Sequence, residues 1–404
     1  MSASVPSQPD FRSRQFLLDH ALHTMIFYHP HCMDPAGGFY HFYKNDGAIY
    51  DRKSRHLVSS ARFVVNYAMA YRHYGLDEYR GGVRHGIDYL REVHRNPQTG
   101  GYAWTLNGRE VTDATNHCYG LAFVVLAYAK AIEAGFDEAR AYLDETWQVM
   151  ETRFWDAPHG LYKDEATADW QVSGYRGQNA NMHACEAFLA AFEATGETRY
   201  LDRAALLADN MVNRQAALAG GLVWEHYKTD WSVDWDYNKG DRSNIFRPWG
   251  FQPGHQTEWA KLLLILDRHR PQAWHVQRAR ALFDRALALS WDHEHGGMVY
   301  GFDPDGTFYD EDKYFWVQAE SLAAAALLGN RATRDGDAEA AARYWKDYER
   351  LWTYSWTHFV DHRYGAWYRI LTRDNRQYSD EKSPAGKVDY HTMGACYEVL
   401  NVLR

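Results

Sequence analysis

The residues best suited to chemistry are histidines, and five of them begin successive apolar stretches of the chain. They are His56, His117, His183, His255 and His391. The sixth comparable position carries Trp316, with Glu320 four residues later. An imidazole whose pKa lies near neutrality can act as a general base or a general acid. Because a repeat needed only for folding does not require an ionisable group there, the pattern indicates a shared polar pocket.

Two of these histidines have a glutamate three residues later, so each pair lies on one face of a helix. The pairs are His255 with Glu258 and His183 with Glu186. One interpretation is a metal site, but no HExxH motif, cysteine cluster or aspartate-rich loop accompanies the pairs, so we predict neither a metal nor another cofactor. The other interpretation is a carboxylate that orients an imidazole, a role assigned to Glu258. Glu186 is expected to form only a helix-surface pair.

The elements that position these residues follow from a sixfold repeat. A glycine followed by apolar or aromatic residues recurs at Gly38, Gly101, Gly160, Gly221, Gly297 and Gly365. Each interval contains a short strand or turn, then a helix that is apolar nearly all round, then a more charged amphipathic helix. A helix that is apolar on all sides is normally buried. Alternating inner and outer helices predict an all-α fold, an (α/α)6 barrel forming a single domain over residues 1–404, with short β-hairpins or loops at one rim.

An open bundle or a solenoid stays an alternative, but six repeats is the number that closes a ring. If the inner helices are parallel, their N-terminal ends meet at one end of the barrel and bring the histidines together. The longest insertion, residues 224–249, contains four tryptophans. Long loops on a rim are commonly binding loops. We therefore expect this segment to cover the pocket and to supply Arg247 and Trp249 to the ligand.

Composition and charge exclude several classes of protein. The net charge of −9 argues against nucleic acid as the main partner, because phosphate binding needs a basic surface. The longest apolar run, residues 120–129, is far short of the roughly 20 residues that cross a bilayer, and residues 1–10 show no signal-peptide pattern. The four cysteines are scattered without a CxxC pair, so free buried thiols are expected. These features predict a cytoplasmic protein and leave a homo-oligomer open.

Three motifs carry a resemblance to a known family. They are Arg176-Gly177-Gln178-Asn179-Ala180-Asn181-Met182-His183, Pro253-Gly254-His255-Gln256-Thr257-Glu258-Trp259 and Asp389-Tyr390-His391. Their order and spacing resemble the N-acylglucosamine 2-epimerase superfamily over nearly the full length. The similarity is closest to its free-sugar branch, which includes mannose isomerases and mannose 2-epimerases. The fold of that family is an (α/α)6 barrel, in agreement with the repeat count.

The resemblance implies roles for individual residues. His255 and His391 match the two catalytic histidines, Glu258 matches the carboxylate beside the first, and Arg62 matches the arginine that polarises the sugar oxygens. Asn179 and His183 match substrate-contacting positions. Val58 stands where relatives often have an aromatic residue, which changes one wall of the site. The other substrate-binding residues expected from the shared pocket are His117, Trp316 and Glu320.

Such residues suit the isomerisation of a free aldohexose, most simply D-mannose. A histidine removes the C2 proton, and a cation such as Arg62 stabilises the enediolate. Returning the proton to the opposite face of C2 gives the 2-epimer, the outcome we favour from sequence; delivering it to C1 gives the ketose, which is the alternative. A more distant alternative is a glycoside hydrolase that uses Glu258 and Glu320 as a carboxylate pair. A sugar-binding scaffold without activity is a third.

Overall fold

The computed structural model describes residues 8–241, 244, 246–384 and 386–403. Within these ranges the chain forms twelve α-helices: α1 (Arg14–Tyr28), α2 (Leu57–Tyr74), α3 (Asp77–Tyr89), α4 (Cys118–Glu133), α5 (Ala139–Arg153), α6 (Gln178–Thr195), α7 (Thr198–Asp209), α8 (Pro253–His269), α9 (Ala273–Ser290), α10 (Phe315–Asp335), α11 (Ala338–His358) and α12 (Tyr390–Val402). Two π-helical turns, Leu90–His94 and Asn210–Gln215, extend α3 and α7.

The even-numbered helices form a closed inner ring. Each contacts the next, from α2 through α4, α6, α8 and α10 to α12, and α12 returns to contact α2. The odd-numbered helices pack outside, α1 against α12 and each other one against the inner helix that precedes it. Helix α10 is buried without interruption from Phe315 to Gly329, as expected for a helix that is apolar on all sides. The prediction of an (α/α)6 barrel is confirmed.

Short antiparallel strands lie where the inner helices begin. The described strands are β1 (Phe42–Lys44), β2 (Ile49–Asp51), β3 (Ser54–His56), β4 (Thr105–Asn107), β5 (Glu110–Asp113), β6 (Asn116–His117), β7 (Trp155–Asp156), β8 (Leu161–Tyr162), β9 (Glu165–Ala166), β10 (Arg176–Gly177), β11 (His226–Tyr227), β12 (Gly301–Phe302), β13 (Phe308–Asp310), β14 (Lys313–Tyr314), β15 (Ile370–Leu371) and β16 (Glu381–Ser383). They pair as β16-β1-β2, β3-β4-β5, β6-β9, β7-β8, β10-β11, β12-β13 and β14-β15. Because β3, β6, β10 and β14 each run directly into an inner helix, these ladders fix the N-terminal ends of the ring.

An amide side chain near the start of four inner helices anchors the repeated glycine turn. In each case its oxygen accepts a hydrogen bond from a backbone N–H one or two residues after the glycine. The pairs are Asn116 with Tyr102, Asn181 with Tyr162, Gln256 with Val223 and Gln318 with Met298. A Cβ atom on Gly101 would lie 2.2 Å from the Asn116 amide oxygen. At Gly101 the amide therefore occupies the space of a side chain, whereas Gly160, Gly221 and Gly297 have positive φ values of 64°, 88° and 76°, which favour glycine.

Two expectations about the whole chain can be compared with this fold. All four cysteines are buried and none forms a disulfide, which confirms the free thiols predicted from their spacing. No helix in the described ranges combines the length and the apolar character that a bilayer crossing requires.

Candidate active site

The N-terminal ends of the inner helices enclose a small cavity, called here the inner cavity. Seven of the residues predicted for the site line it: Arg62, Asn179, His183, His255, Glu258, Trp316 and His391. The remaining lining residues are Tyr119, Phe246, Pro248, Tyr300 and Lys387. Parallel inner helices thus bring together side chains that are far apart in the sequence.

The partner of His255 is a carboxylate that sequence reasoning missed. The Nδ1 atom of His255 lies 3.0 Å from both carboxylate oxygens of Glu225. Glu225 also accepts a hydrogen bond from the Gln178 side chain at 3.1 Å, and it is 3% exposed. With Nδ1–H donated to Glu225, the Nε2 atom of His255 is free to act on a ligand. The expectation that Glu258 orients His255 is wrong, because Glu225, just before β11, occupies the Nδ1 side of the ring.

Glu258 lies instead at the floor of the inner cavity. Its two carboxylate oxygens are fully buried and have no hydrogen-bond partner among the described residues. They approach His183 and Lys261, each at 3.9 Å. Burial, and next the nearby Glu320 carboxylate, raise the pKa of Glu258 well above its usual value. A neutral carboxylic acid at this place can donate a hydrogen bond to a ligand oxygen.

His391 is held by Glu320, from the neighbouring inner helix. The Nδ1 atom of His391 lies 2.6 Å from one oxygen of Glu320, and the Lys261 ammonium lies 2.5 Å from the other. Burial lowers the pKa of His391 well below its usual value, and the charges of Arg62 and Lys387 lower it further. The ring is therefore neutral at pH 7, with Nε2 as its basic atom. Glu320, predicted to bind a substrate, does not line the inner cavity and has its two oxygens on His391 and Lys261 instead.

His183 forms a third imidazole–carboxylate pair in the same layer. Its Nδ1 atom lies 2.9 Å from Glu186, which also accepts a hydrogen bond from the Tyr390 hydroxyl. Burial lowers the pKa of His183 to about 4. Burial alone would raise the pKa of Glu186, but the hydrogen bond from His183 and the charge of Lys261 lower it overall. The expectation of a helix-surface pair is wrong, because this face of α6 points into the barrel.

Arg62 reaches the inner cavity from the second turn of α2. Its guanidinium donates to the backbone oxygen of Gly386 at 2.5 Å and lies 4.4 Å from the ring centre of Phe123 and 5.0 Å from that of Tyr390. These rings supply an aromatic wall although Val58, four residues earlier, is aliphatic. The Nε atom of Arg62 has no partner among the described residues. The same is true of the Asn179 amide oxygen and the Trp316 indole nitrogen, so several polar atoms are available for a ligand.

Two predicted residues lie in an adjoining pocket rather than in the inner cavity. This vestibule has a volume of ≈ 550 Å³ and shares Tyr119, Asn179 and Phe246 with the inner cavity. His117 lines it, 3.6 Å from Glu165. Arg247 pairs with the same glutamate at 2.5 Å. Phe246 lines both spaces, whereas His117 and Arg247 line only the vestibule.

Trp249 and His56 are not brought into the inner cavity. Trp249 packs against Trp224 and Tyr309, with ring centres at 5.7 and 4.6 Å, and lines a separate cleft on the surface. Trp224, Trp231 and Trp249 of the insertion are buried, whereas Trp235 is 39% exposed, so Trp249 packs within the insertion instead of facing the inner cavity. His56 is buried behind Phe246 and stacks on its ring at 5.5 Å.

Lys387 is a second residue that sequence reasoning missed. It lies four residues before His391 and lines the inner cavity. Its ammonium is 5.5 Å from the ring centre of Trp316. Burial, followed by the charge of Arg62, lowers the pKa of Lys387 well below its usual value. No helical spacing predicts this residue, since it belongs to the loop before α12; its only sequence signal is its closeness to His391.

Two sets of side chains among the described residues are close enough to share a metal ion. They are His183, Glu186 and Glu258, and Glu258, Glu320 and His391. The Lys261 ammonium lies between them, within 4.0 Å of all three glutamates. This fixed cation supplies the positive charge that the carboxylates would otherwise obtain from a metal.

Comparisons with known proteins agree with this geometry. The sequence profile of the N-acylglucosamine 2-epimerase family matches residues 37–395. A D-mannose isomerase of Marinomonas mediterranea is 56% identical over 98% of this chain and 99% of its own length. A crystal structure of a D-mannose isomerase, also 56% identical, superposes with a TM-score of 0.94 over 98% of this chain and all of that chain. A cellobiose 2-epimerase of Bacteroides fragilis is 22% identical over 90% of this chain and 92% of its own length. The chain therefore belongs to the N-acylglucosamine 2-epimerase family and is a sugar isomerase or epimerase.

Proposed function

We propose that this chain is an aldose–ketose isomerase that converts D-mannose to D-fructose. The proposal depends on the 56% identity with a D-mannose isomerase over almost the whole of both chains. The sequence-based preference for a mannose 2-epimerase is corrected accordingly, because the 2-epimerase compared above is much more distant, at 22% identity. Isomerisation to the ketose and epimerisation at C2 pass through the same enediolate. The residue roles proposed below therefore apply to both reactions.

The two buried histidines are proposed as the acid and base. His255 and His391 each direct Nδ1 at a glutamate, which leaves Nε2 facing the inner cavity. One neutral imidazole removes the C2 proton of the open-chain sugar as the C1–C2 enediolate forms. The same proton, or one from the other histidine, is then delivered to C1; the O2 hydroxyl gives up its proton as C2 becomes the ketone, and O1 takes up that proton to become the C1 hydroxyl. Ring opening requires a proton acceptor at O1 and a donor at O5, which the second histidine can provide.

Cations and neutral donors are proposed to stabilise the enediolate. Arg62 faces the same space as the two histidines and supplies the positive charge, while Lys387 faces it too as a donor whose lowered pKa favours the uncharged amine. Such preorganised positive charge typically contributes several kcal/mol, on the order of 3 to 4 for one strong donor. Glu258, neutral and without a partner among the described residues, can donate to a sugar oxygen. Trp316 offers an aromatic surface 5.0 Å from the ring centre of His255.

Asn179 and His183 also line the inner cavity, and we propose that they bind sugar hydroxyls. His117 and Arg247 lie in the vestibule, and we propose that they contact the sugar during entry. With the side chains as they stand, the free volume of the inner cavity is ≈ 20 Å³, about that of one water molecule. A hexose therefore requires side chains that line the inner cavity to move, and we propose Phe246, which lines both spaces, as one that does.

The glycoside hydrolase alternative finds no support in the carboxylate geometry. Such enzymes need one carboxylic acid and one carboxylate directed at the glycosidic bond. Glu320 has one oxygen on His391 and the other on Lys261, so neither is directed at a ligand. Only Glu258 of the suggested pair is available.

We further propose a cytoplasmic location and a free monosaccharide as the only small-molecule partner. Four buried, unpaired cysteines are compatible with a reducing compartment. A homo-oligomer stays open, and size-exclusion chromatography with light scattering would decide it.

Incubation with D-mannose in D2O, followed by NMR, tests the function. We expect D-fructose, with deuterium at C1 to the extent that the transferred proton exchanges with solvent. D-glucose carrying deuterium at C2 would identify a 2-epimerase instead, and no turnover of any aldohexose would refute both. His391→Gln should abolish product formation, whereas His293→Gln, at an exposed position, provides the matched control.

A further inference from the structure

Lys261 lies at the centre of the charged layer beneath the inner cavity. It is 6% exposed, and its ammonium is 2.5 Å from Glu320, 3.9 Å from Glu258 and 4.0 Å from Glu186. These three glutamates come from three different inner helices. Buried carboxylates so close together repel one another unless a cation lies between them. Lys261 is the cation that the structure places there.

A second cavity begins directly behind this layer. It has a volume of ≈ 390 Å³, lies within the C-terminal half of the inner ring, and is called here the axial cavity. Its lining includes Glu186, Lys261, Glu320 and Tyr390, and also Lys130. Lys261 thus separates the catalytic histidines from a space on the other side of the barrel. Glu320 borders this cavity, and its second carboxylate oxygen is held by the ion pair with Lys261.

We propose that Lys261 is a positioning residue for the proton transfer. It fixes one oxygen of Glu320, so that the other oxygen holds Nδ1 of His391 and presents Nε2 to the sugar. Lys261 itself touches neither the sugar nor the reacting carbons. The kinetic part of this inference rests on the proposed function, whereas the effect on His391 does not.

The direction of the pH effect follows from the charges around Lys261. The groups that face this layer are Arg62 on α2, His183 and Glu186 on α6, Glu258 on α8, Glu320 on α10, and Tyr390, His391 and the preceding Lys387 at α12. The positive charge of Lys261 contributes to the lowered pKa of His391. Without Lys261, no ammonium compensates the negative charge of Glu320 beside the imidazole. The pKa of His391 should therefore rise when Lys261 is replaced by a neutral residue.

The test compares Lys261→Met with Lys130→Met. Lys130 also lines the axial cavity, but it pairs with Glu133 and Glu193, away from the catalytic layer. For Lys261→Met we expect kcat on D-mannose to fall about 10- to 100-fold, as for other residues that orient a catalytic group. The KM should change less than about threefold, because ground-state contacts with the sugar stay intact. The acid limb of the kcat profile should move up by about one pH unit.

A double-mutant cycle and an NMR titration complete the experiment. The cycle consists of Lys261→Gln, Glu320→Gln and the double variant; if Lys261 acts through Glu320, the double variant should be no slower than Glu320→Gln alone. Because this double variant removes both charges of the pair, it leaves no unpaired buried charge. It provides the comparison with Glu320→Gln if Lys261→Met does not fold. The imidazole nitrogen resonances of His391, assigned with His391→Gln, report its pKa without any substrate and should show the rise even if D-mannose is not turned over. An unchanged pKa of His391, or additive losses in the cycle, would overturn the proposal.

Discussion

His255 and Glu225 meet across 30 positions of the sequence, with the Nδ1 atom of the imidazole 3.0 Å from both carboxylate oxygens. The glutamate is in turn held by the side chain of Gln178 from α6. Three segments therefore cooperate to fix one ring. The same arrangement recurs at His391 with Glu320, so both proposed acid–base groups are oriented by a buried carboxylate.

Replacement of Glu225 by glutamine should reduce kcat by at least about 100-fold with little change in KM. The amide can still accept from Gln178, but it then presents an N–H to His255 and favours the tautomer whose Nε2 carries the proton. Steady-state kinetics on D-mannose measure the effect. The control is Glu349→Gln, because Glu349 forms an exposed ion pair with Arg12 that contributes little. A Glu225→Gln enzyme as active as wild type would refute the orienting role.

Glu258 should tolerate glutamine better than aspartate. Burial, and next the Glu320 carboxylate, raise the pKa of Glu258 well above its usual value, which favours the neutral acid in the folded enzyme. Glutamine keeps the length, the neutrality and one hydrogen-bond donor, whereas aspartate withdraws the group from the inner cavity. We expect kcat/KM to fall about tenfold less in Glu258→Gln than in Glu258→Asp, a difference of about 1.4 kcal/mol in transition-state stabilisation. The reverse order would indicate that a carboxylate is required.

The amide clamp at Asn181 should contribute strongly to stability. Its side chain bonds the N–H of Tyr162 at 2.7 Å and the carbonyl oxygens of Tyr162 and Gly177 at 3.0 and 3.1 Å. Asn181→Ala leaves buried backbone groups without partners, so the free energy of unfolding should fall by about 3 kcal/mol. Urea unfolding measures this change. Asn213→Ala, which removes one hydrogen bond to Asp209 at the surface, should cost less than about 0.5 kcal/mol.

Stability should be greatest near pH 6.5. Burial lowers the pKa of His56 to about 3 and of His94 and His183 to about 4, while the unfolded chain keeps values near 6.5. Between pH 6.5 and 4 the unfolded state therefore binds more protons, and the free energy of unfolding falls as the pH falls. Burial raises the pKa of Asp164 to about 8, so between about pH 3.9 and pH 8 the folded state binds more protons at this group, and the free energy of unfolding falls as the pH rises; above pH 6.5 the histidines no longer offset this loss.

Urea unfolding from pH 4.5 to 8.5 measures this profile. His94→Gln should flatten the acid side, because one neutral histidine is removed. Asp164→Asn should flatten the alkaline side. A stability that does not depend on pH between 4.5 and 6.5 would contradict the buried neutral state of these histidines.

The fold followed from the sequence because its signals are local and repeated. A glycine turn, an apolar helix and a charged helix recur six times, and burial of an apolar helix on all sides requires a ring of neighbours. The histidines could be placed at one end for the same reason, since each begins an apolar stretch. His255, His391 and Arg62 were therefore predicted to lie near one another, and in the structure all three line the inner cavity.

The partners of these residues depended on the tertiary structure. Glu225 and Lys387 lie in irregular segments outside helical periodicity, so no spacing relates them to the histidines they accompany. From helical spacing, Glu258 was predicted to pair with His255 and Glu186 to lie on the helix surface. In the closed ring of inner helices, both glutamates point into the barrel. Sequence determines which face a helix buries, whereas the distance between two buried groups depends on how the helices pack around the barrel.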